Sequence, residues 1–145
     1  MKTLKTEIEI KASPEKIWAI LTDFAAYPDW NPFIRRLQGK VQEGARLEVL
    51  IEPPGGKGMV FKPTVRKVFK NKAFHWVGHL LIPGIFDGEH IFTINENTDG
   101  SVTFVQQENF RGLLVPLVWG SMADKTKNGF SAMNLALKQR AEGLN

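Results

Sequence analysis

The sequence contains no cysteine, which excludes disulfides, thiolate nucleophiles and thiolate metal sites. It has no apolar run near the roughly 20 residues that a membrane-spanning helix needs, so stable membrane insertion is not expected. The opening residues, MKTLKTEIEI, hold no apolar signal region, and a cytoplasmic protein is the expectation. Internal repeats, low-complexity tracts and linkers are also missing. The 145 residues therefore read as one domain, long enough to bury about 68–70% of the unfolded surface.

Two functional signatures are absent as well. Pro53-Pro54-Gly55-Gly56-Lys57-Gly58 is Gly-rich and carries a lysine. It lacks the G-x-x-x-x-G-K-[ST] spacing, and strands flank it where a phosphate loop needs a following helix. It reads as a mobile hairpin tip, with a flexible gate as the functional alternative. The 19 Lys and Arg outnumber the 15 Asp and Glu for a net charge of +4, but they are spread along the chain. Arg66, Lys67, Lys70 and Lys72 cluster around one hairpin, where strand alternation alone turns two or three of them to solvent. No nucleic-acid partner is expected.

What is present is the composition of a soluble globular chain, 43% hydrophobic and 23% charged. Its longest periodic element runs from Val115 to about Ala141. Val115, Trp119, Met122, Ala123, Thr126, Phe130, Met133 and Leu137 share one side of a helical wheel, with Asp124, Asn128, Ser131 and Gln139 opposite. Pro116 suits the first turn, where its missing N–H costs nothing. Gly120 and Gly129 lie inside the helix, each at a cost of about 1 kcal/mol relative to Ala. Gly129 projects near the apolar stripe, where it would widen a cavity or admit a close neighbour, and Gly120 points to the flank. Leu117 and Leu135 fall on the polar side.

Upstream, residues 4–11 alternate apolar and polar as a half-buried strand does. Ser13-Pro14-Glu15 is a helix start, with a serine cap, proline in the first turn and an acid at the positive end. Ile17, Ile20, Leu21 and Phe24 form its apolar stripe with Trp18 at the edge, and it should stop before Pro28. Ala26 to Phe33 is an aromatic turn between two prolines, read as a plug closing one end of the core or as part of a ligand portal. Strands then follow near 33–41, 45–52, 58–69, 73–81, 86–95 and 101–111. Their short separators indicate antiparallel hairpins rather than crossovers. The order predicts an α+β fold: a curved antiparallel sheet of seven strands, one or two short helices after the first strand, and the last helix covering the sheet's concave face.

Several stretches carry a family likeness. Ser13-Pro14-Glu15-Lys16-Ile17-Trp18, Asp23-Phe24 and Tyr27-Pro28-Asp29-Trp30-Asn31-Pro32 resemble the START/Bet v 1-like (SRPBCC) superfamily. Trp76-x-Gly78, Gly88-Glu89-His90-x-Phe92 and Gln106-x-Glu108-x-Phe110-x-Gly112 look like its bacterial polyketide cyclase/dehydrase and lipid-transport group. The likeness spans about residues 4–141. It implies a helix-grip fold, a curved sheet gripping the C-terminal helix around an apolar cavity, in agreement with the order of elements.

Candidate site residues follow from strand alternation. Phe86, Gly88, His90, Phe92 and Ile94 share a face that should point inward. His90 then sits in an aromatic setting as a hydrogen-bonded wall residue, a ligand anchor or an acid–base group. Val102, Phe104, Gln106, Glu108 and Phe110 share a face of the last strand. Glu108 either lines the cavity, where burial would raise its pKa, or is solvated at the sheet's end. On neighbouring strands, His90 and Glu108 would make an acid–base pair. His75 and His79, about 13 Å apart on one strand face, are too far apart for one metal and read as outward. No metal or cofactor is expected.

The predicted ligand-binding residues are Trp30, Phe61, Trp76, His90, Phe92, Phe104, Gln106, Glu108, Trp119, Met122, Thr126, Phe130 and Met133. An empty void of about 300 Å³ would cost near 7 kcal/mol at about 24 cal/mol per Å³, so a cavity must hold ligand or water, or be filled by adaptable residues such as Met122 and Met133. The expected function is binding, transport or sequestration of a small hydrophobic molecule such as a lipid, polyketide or aromatic compound, by a monomer or weak homodimer. One alternative is a metal-free cyclase or dehydratase using His90 and Glu108. The resemblance also admits an interaction module of the chaperone-activator type, for which Leu113, Leu114 and Leu117 would supply an exposed apolar patch.

Overall fold

A computed structural model describes residues 1–80 and 82–143. Strand β1 (Lys2–Ile10) leads into α1 (Pro14–Thr22), a 3-10 turn (Phe24–Ala26) and α2 (Tyr27–Trp30). Then come β2 (Ile34–Gln38), β3 (Glu48–Ile51), β4 (Met59–Phe61), β5 (Thr64–Phe69), β6 (Ala73–Leu80), β7 (Phe86–Glu96), β8 (Val102–Arg111) and α3 (Val115–Ala141). Leu81, the last residue of the strand expected over 73–81, lies outside the described residues.

The α+β layout with a long closing helix is as predicted, but the strand count differs. The run 58–69 is two strands, because it breaks at Lys62-Pro63. Proline cannot donate to a ladder, and here its carbonyl instead accepts from Leu47 N at 2.8 Å. Among the described residues eight strands result, a sheet in the order β1-β8-β7-β6-β5 and a second in the order β2-β3-β4. Backbone bonds Gly44 N–Val65 O and Val65 N–Ala45 O, both 2.9 Å, stitch the two sheets at one end.

Local signals explain the small helices. Ser13 Oγ accepts from Lys16 N at 3.1 Å, and α1 buries Ile17, Leu21 and also Trp18. The aromatic turn forms one short helix, Tyr27–Trp30, the second of the one or two expected after the first strand, and the stretch buries Tyr27, Trp30 and Phe33. Asn31 Oδ1 accepts from Phe33 N and Ile34 N at 3.0 and 2.8 Å, turning the chain into β2.

The face of α3 expected to be uniform divides in two. Phe130, Met133 and Leu137 are fully buried in the core, whereas Trp119, Met122, Ala123 and Thr126 are half-buried. Gly129 lies where the ring of Phe33 presses on the helix: a Cβ there would come within 2.2 Å of Phe33 Cδ1. Nothing lies within 4 Å of a Cβ built on Gly120. Leu117 and Leu135 are exposed, as the wheel predicts.

Candidate functional site

The register of β6, β7, β8 and β1 arranges the inward face in rows. One row is Phe74, Phe92, Gln106 and Thr6. The next is Trp76, His90, Glu108 and Leu4, and the third is Gly78, Gly88, Phe110 and Lys2. The first row is dry core: Phe74 and Phe92 stack at 6.2 Å, and Phe92 stacks on Phe104 at the same distance. The third row has two glycines side by side, so the wall there loses its side chains. A cleft of about 450 Å³, partly open to solvent, lies over the second and third rows. Its other walls are the β3–β4 hairpin and the N-terminal half of α3.

Five predicted site residues line this cleft: Phe61, Trp76, Glu108, Met122 and Thr126. The other eight do not. Trp30, Phe92, Phe104, Phe130 and Met133 are buried core. Trp119 packs edge-on against Phe110 at 5.5 Å, with Lys2 Nζ 5.9 Å from its ring centroid. His90 and Gln106, 1% and 0% exposed, stand directly behind the wall. Alternation gives the inward face correctly, but only the two glycines decide which part of it borders space.

Residues not foreseen as cleft lining include Leu114, Val118 and Lys125. The helical signal was available, since Leu114, Val118, Met122 and Thr126 repeat at i, i+4. Phe33 belongs to the aromatic plug and to the cleft wall together. Leu113 and Leu117 are exposed, whereas Leu114 turns into the cleft. His79 lies on the outer face, its Nδ1 2.8 Å from Asp87 Oδ1.

Behind the wall runs a chain of polar side chains through the core. His90 Nε2 is 3.0 Å from Gln106 Oε1. Gln106 Nε2 donates to Asn134 Oδ1 at 2.7 Å and to Phe130 O at 3.2 Å. Asn134 Nδ2 donates to Thr6 Oγ1 at 2.9 Å. Both acceptors of the Gln106 amide nitrogen are oxygens, so its oxygen must face His90. His90 therefore carries its proton on Nε2 and leaves the Nδ1 lone pair toward Glu108 Oε1, 3.7 Å away. The rings of Phe92, Phe130 and Trp76, at 4.3, 5.0 and 5.3 Å, surround the imidazole.

The electrostatics follow from burial. Desolvation lowers the His90 pKa to about 4 against a smaller opposing effect of the Gln106 bond, so the ring is neutral. Desolvation raises Glu108 to about 8, so its carboxyl keeps its proton at neutral pH. Gly88 makes room for it: a Cβ there would lie 2.5 Å from Glu108 Oε2. The site thus offers an O–H donor at the edge of an apolar hollow, backed by a neutral imidazole of fixed tautomer.

No curated protein matches the chain in sequence, but its fold recurs among solved structures. A START superfamily protein from Mycobacterium smegmatis is 24% identical with a TM-score of 0.72, covering 99% of each chain. A protein from Mesorhizobium loti is 20% identical with a TM-score of 0.74, again over 99% of each. An aromatase/cyclase from Streptomyces sp. R1128 is 11% identical with a TM-score of 0.79, over 97% of this chain and 93% of its own. The family model described as polyketide cyclase / dehydrase and lipid transport matches residues 1–142. This chain therefore belongs to the polyketide cyclase / dehydrase and lipid transport family.

Proposed function

We propose that the chain is a single ligand-binding domain whose cleft takes a small, mainly hydrophobic molecule. The observation that carries this is a mainly apolar hollow of about 450 Å³ with the Glu108 carboxyl in its lining. Its size falls in the range of about 300–1,000 Å³ usual for small-molecule sites, where apolar walls supply affinity and few polar groups set orientation. A neutral carboxyl can donate to a carbonyl or hydroxyl oxygen of the ligand without the cost of an unpaired buried charge. The test is titration with a panel of lipids, flavonoids and quinones, followed by tryptophan fluorescence and methyl NMR of Met122. Saturable shifts at Met122 are expected in the native protein and should vanish in Gly78→Leu, whose side chain fills the hollow and leaves the Met122 methyl in place. Silence at Met122 across the panel would refute the reading.

A second reading is favoured by the 3.7 Å approach of His90 Nδ1 to Glu108. In a dehydration, the Glu108 carboxyl would give its proton to a departing hydroxyl, which leaves as water. The carboxylate would then take the proton from the adjacent carbon as the C=C bond forms, which restores the acid. His90, behind the wall, would position the carboxyl rather than touch substrate. Turnover of a β-hydroxy ketone that falls at least 100-fold in Glu108→Gln while binding persists would support this, and turnover unaffected by that change would end it.

A further inference from the structure

Two lysines stand in the wall of the mainly apolar cleft, Lys57 on the β3–β4 tip and Lys125 on α3, beside the uncharged Ser121 and Thr126 and the acid Glu108. Both are exposed, whereas the Glu108 side chain is only 19% exposed, so the lysines mark the solvent end and Glu108 the inner end. Among the described residues neither lysine forms an ion pair. The nearest acids in sequence, Glu52 and Asp124, are not part of the lining. Glu108 does not neutralise them either, because its own site favours the uncharged form. The cleft therefore has one lysine on the β3–β4 tip, a second on α3 and the Glu108 carboxyl on the sheet wall.

We propose that the cleft takes an elongated amphipathic anion, with its carboxylate or phosphate head between Lys57 and Lys125 and its apolar body over Gly78 and Gly88, and that the best ligands carry a far-end oxygen accepting from the Glu108 carboxyl. This rests on the ligand-binding reading above and adds a head group and a direction to it. A cation would meet repulsion at the mouth, and a second charge at the inner end would be desolvated without a partner.

Calorimetric titration with dodecanoate, dodecyl phosphate, dodecanol and dodecylammonium tests it. At low salt, binding of an anion about tenfold tighter than dodecanol is expected, about threefold for each partly exposed lysine. Dodecylammonium should bind weakest, and the preference should shrink as salt rises. Comparison of the two anions identifies the head group. The double variant K57Q/K125Q should bring the anion-to-alcohol ratio to about one, while Lys16→Gln on α1, remote from the cleft, leaves the ratio unchanged. ω-Hydroxydodecanoate should outbind dodecanoate in the native protein and in Glu108→Gln, whose amide still donates, but not in Glu108→Leu or Glu108→Met. Equal binding of anion, alcohol and ammonium overturns the proposal and leaves the cavity reading standing. Absence of a hydroxyl advantage in the native protein overturns the Glu108 end of it. No binding by any of the four overturns this proposal, and the wider panel above then decides the cavity reading.

Discussion

Glu108 links the cleft to the stability of the whole fold. Its carboxyl rises from an ordinary value of 4.5 to about 8 on folding. Between those limits the native state holds a proton that the unfolded chain has released, so stability falls as pH rises. Each pH unit of full difference is worth about 1.4 kcal/mol, giving a total on the order of 5 kcal/mol. His90 works in the opposite sense: its pKa falls from 6.5 to about 4, so its contribution is complete above 6.5 and is lost as pH falls toward 4. His75, also lowered, mainly by desolvation, acts in the same low window. Asp87, Asp99 and Glu142, all lowered by hydrogen bonds, contribute in full at neutral pH and lose that contribution only at still more acidic pH. The window from pH 6.5 to 8 therefore isolates Glu108.

Across that window the native protein should lose about 2 kcal/mol. Glu108→Gln cannot ionise and keeps the shape of the side chain, so its curve should stay nearly level. The stability gap between the two proteins should grow by the same 2 kcal/mol or so from pH 6.5 to 8. Urea unfolding followed by far-UV circular dichroism measures it, and the difference between curves cancels every group the two proteins share. Parallel curves would refute the assignment of Glu108 as a buried neutral acid.

Two further outcomes follow from neighbouring features. Gly120→Ala should stabilise by about 1 kcal/mol through helix propensity alone. Gly129→Ala should destabilise by about 1–3 kcal/mol because its methyl meets Phe33. Thermal melts of the two variants should therefore move in opposite directions. Gln106→Leu should cost about 1–3 kcal/mol by stranding His90 Nε2–H and Asn134 Oδ1. It should also change the ¹⁵N shifts of His90, a signature that a mere packing loss would not give.

The sequence carried the fold because its signals are local. The Ser13 cap, the strand alternation and the long stripe of α3 each specify an element without reference to the rest. The break at Pro63 was equally local, a proline inside a run of apparent strand, and a missing ladder donor is sufficient reason for it. The cleft was only half legible. A helical wheel assigns a face to α3, but not that Phe130 and Met133 meet side chains while Met122 and Thr126 meet the space over Gly78 and Gly88. That distinction depends on the pairing of β6 with β7, which places one glycine beside the other. Gln106 was expected on the cavity wall and instead spans the core to Asn134. Asn134 lies four residues after Phe130, so its inward direction was visible, but the Thr6 that accepts from it is 128 positions away.

The β3–β4 tip has a consequence of its own. Pro53, Gly56 and Lys57 stand in one wall of the cleft, and Gly56 N donates to Pro53 O at 2.9 Å in the turn. Lengthening such a tip is thermodynamically mild, about 0.6 kcal/mol for each doubling of a flexible loop. The core beneath α3 and the polar chain behind His90 would not register the insertion. The hairpin wall can thus change in length while the residues shared by core and cleft, such as Phe33 and Trp76, stay fixed.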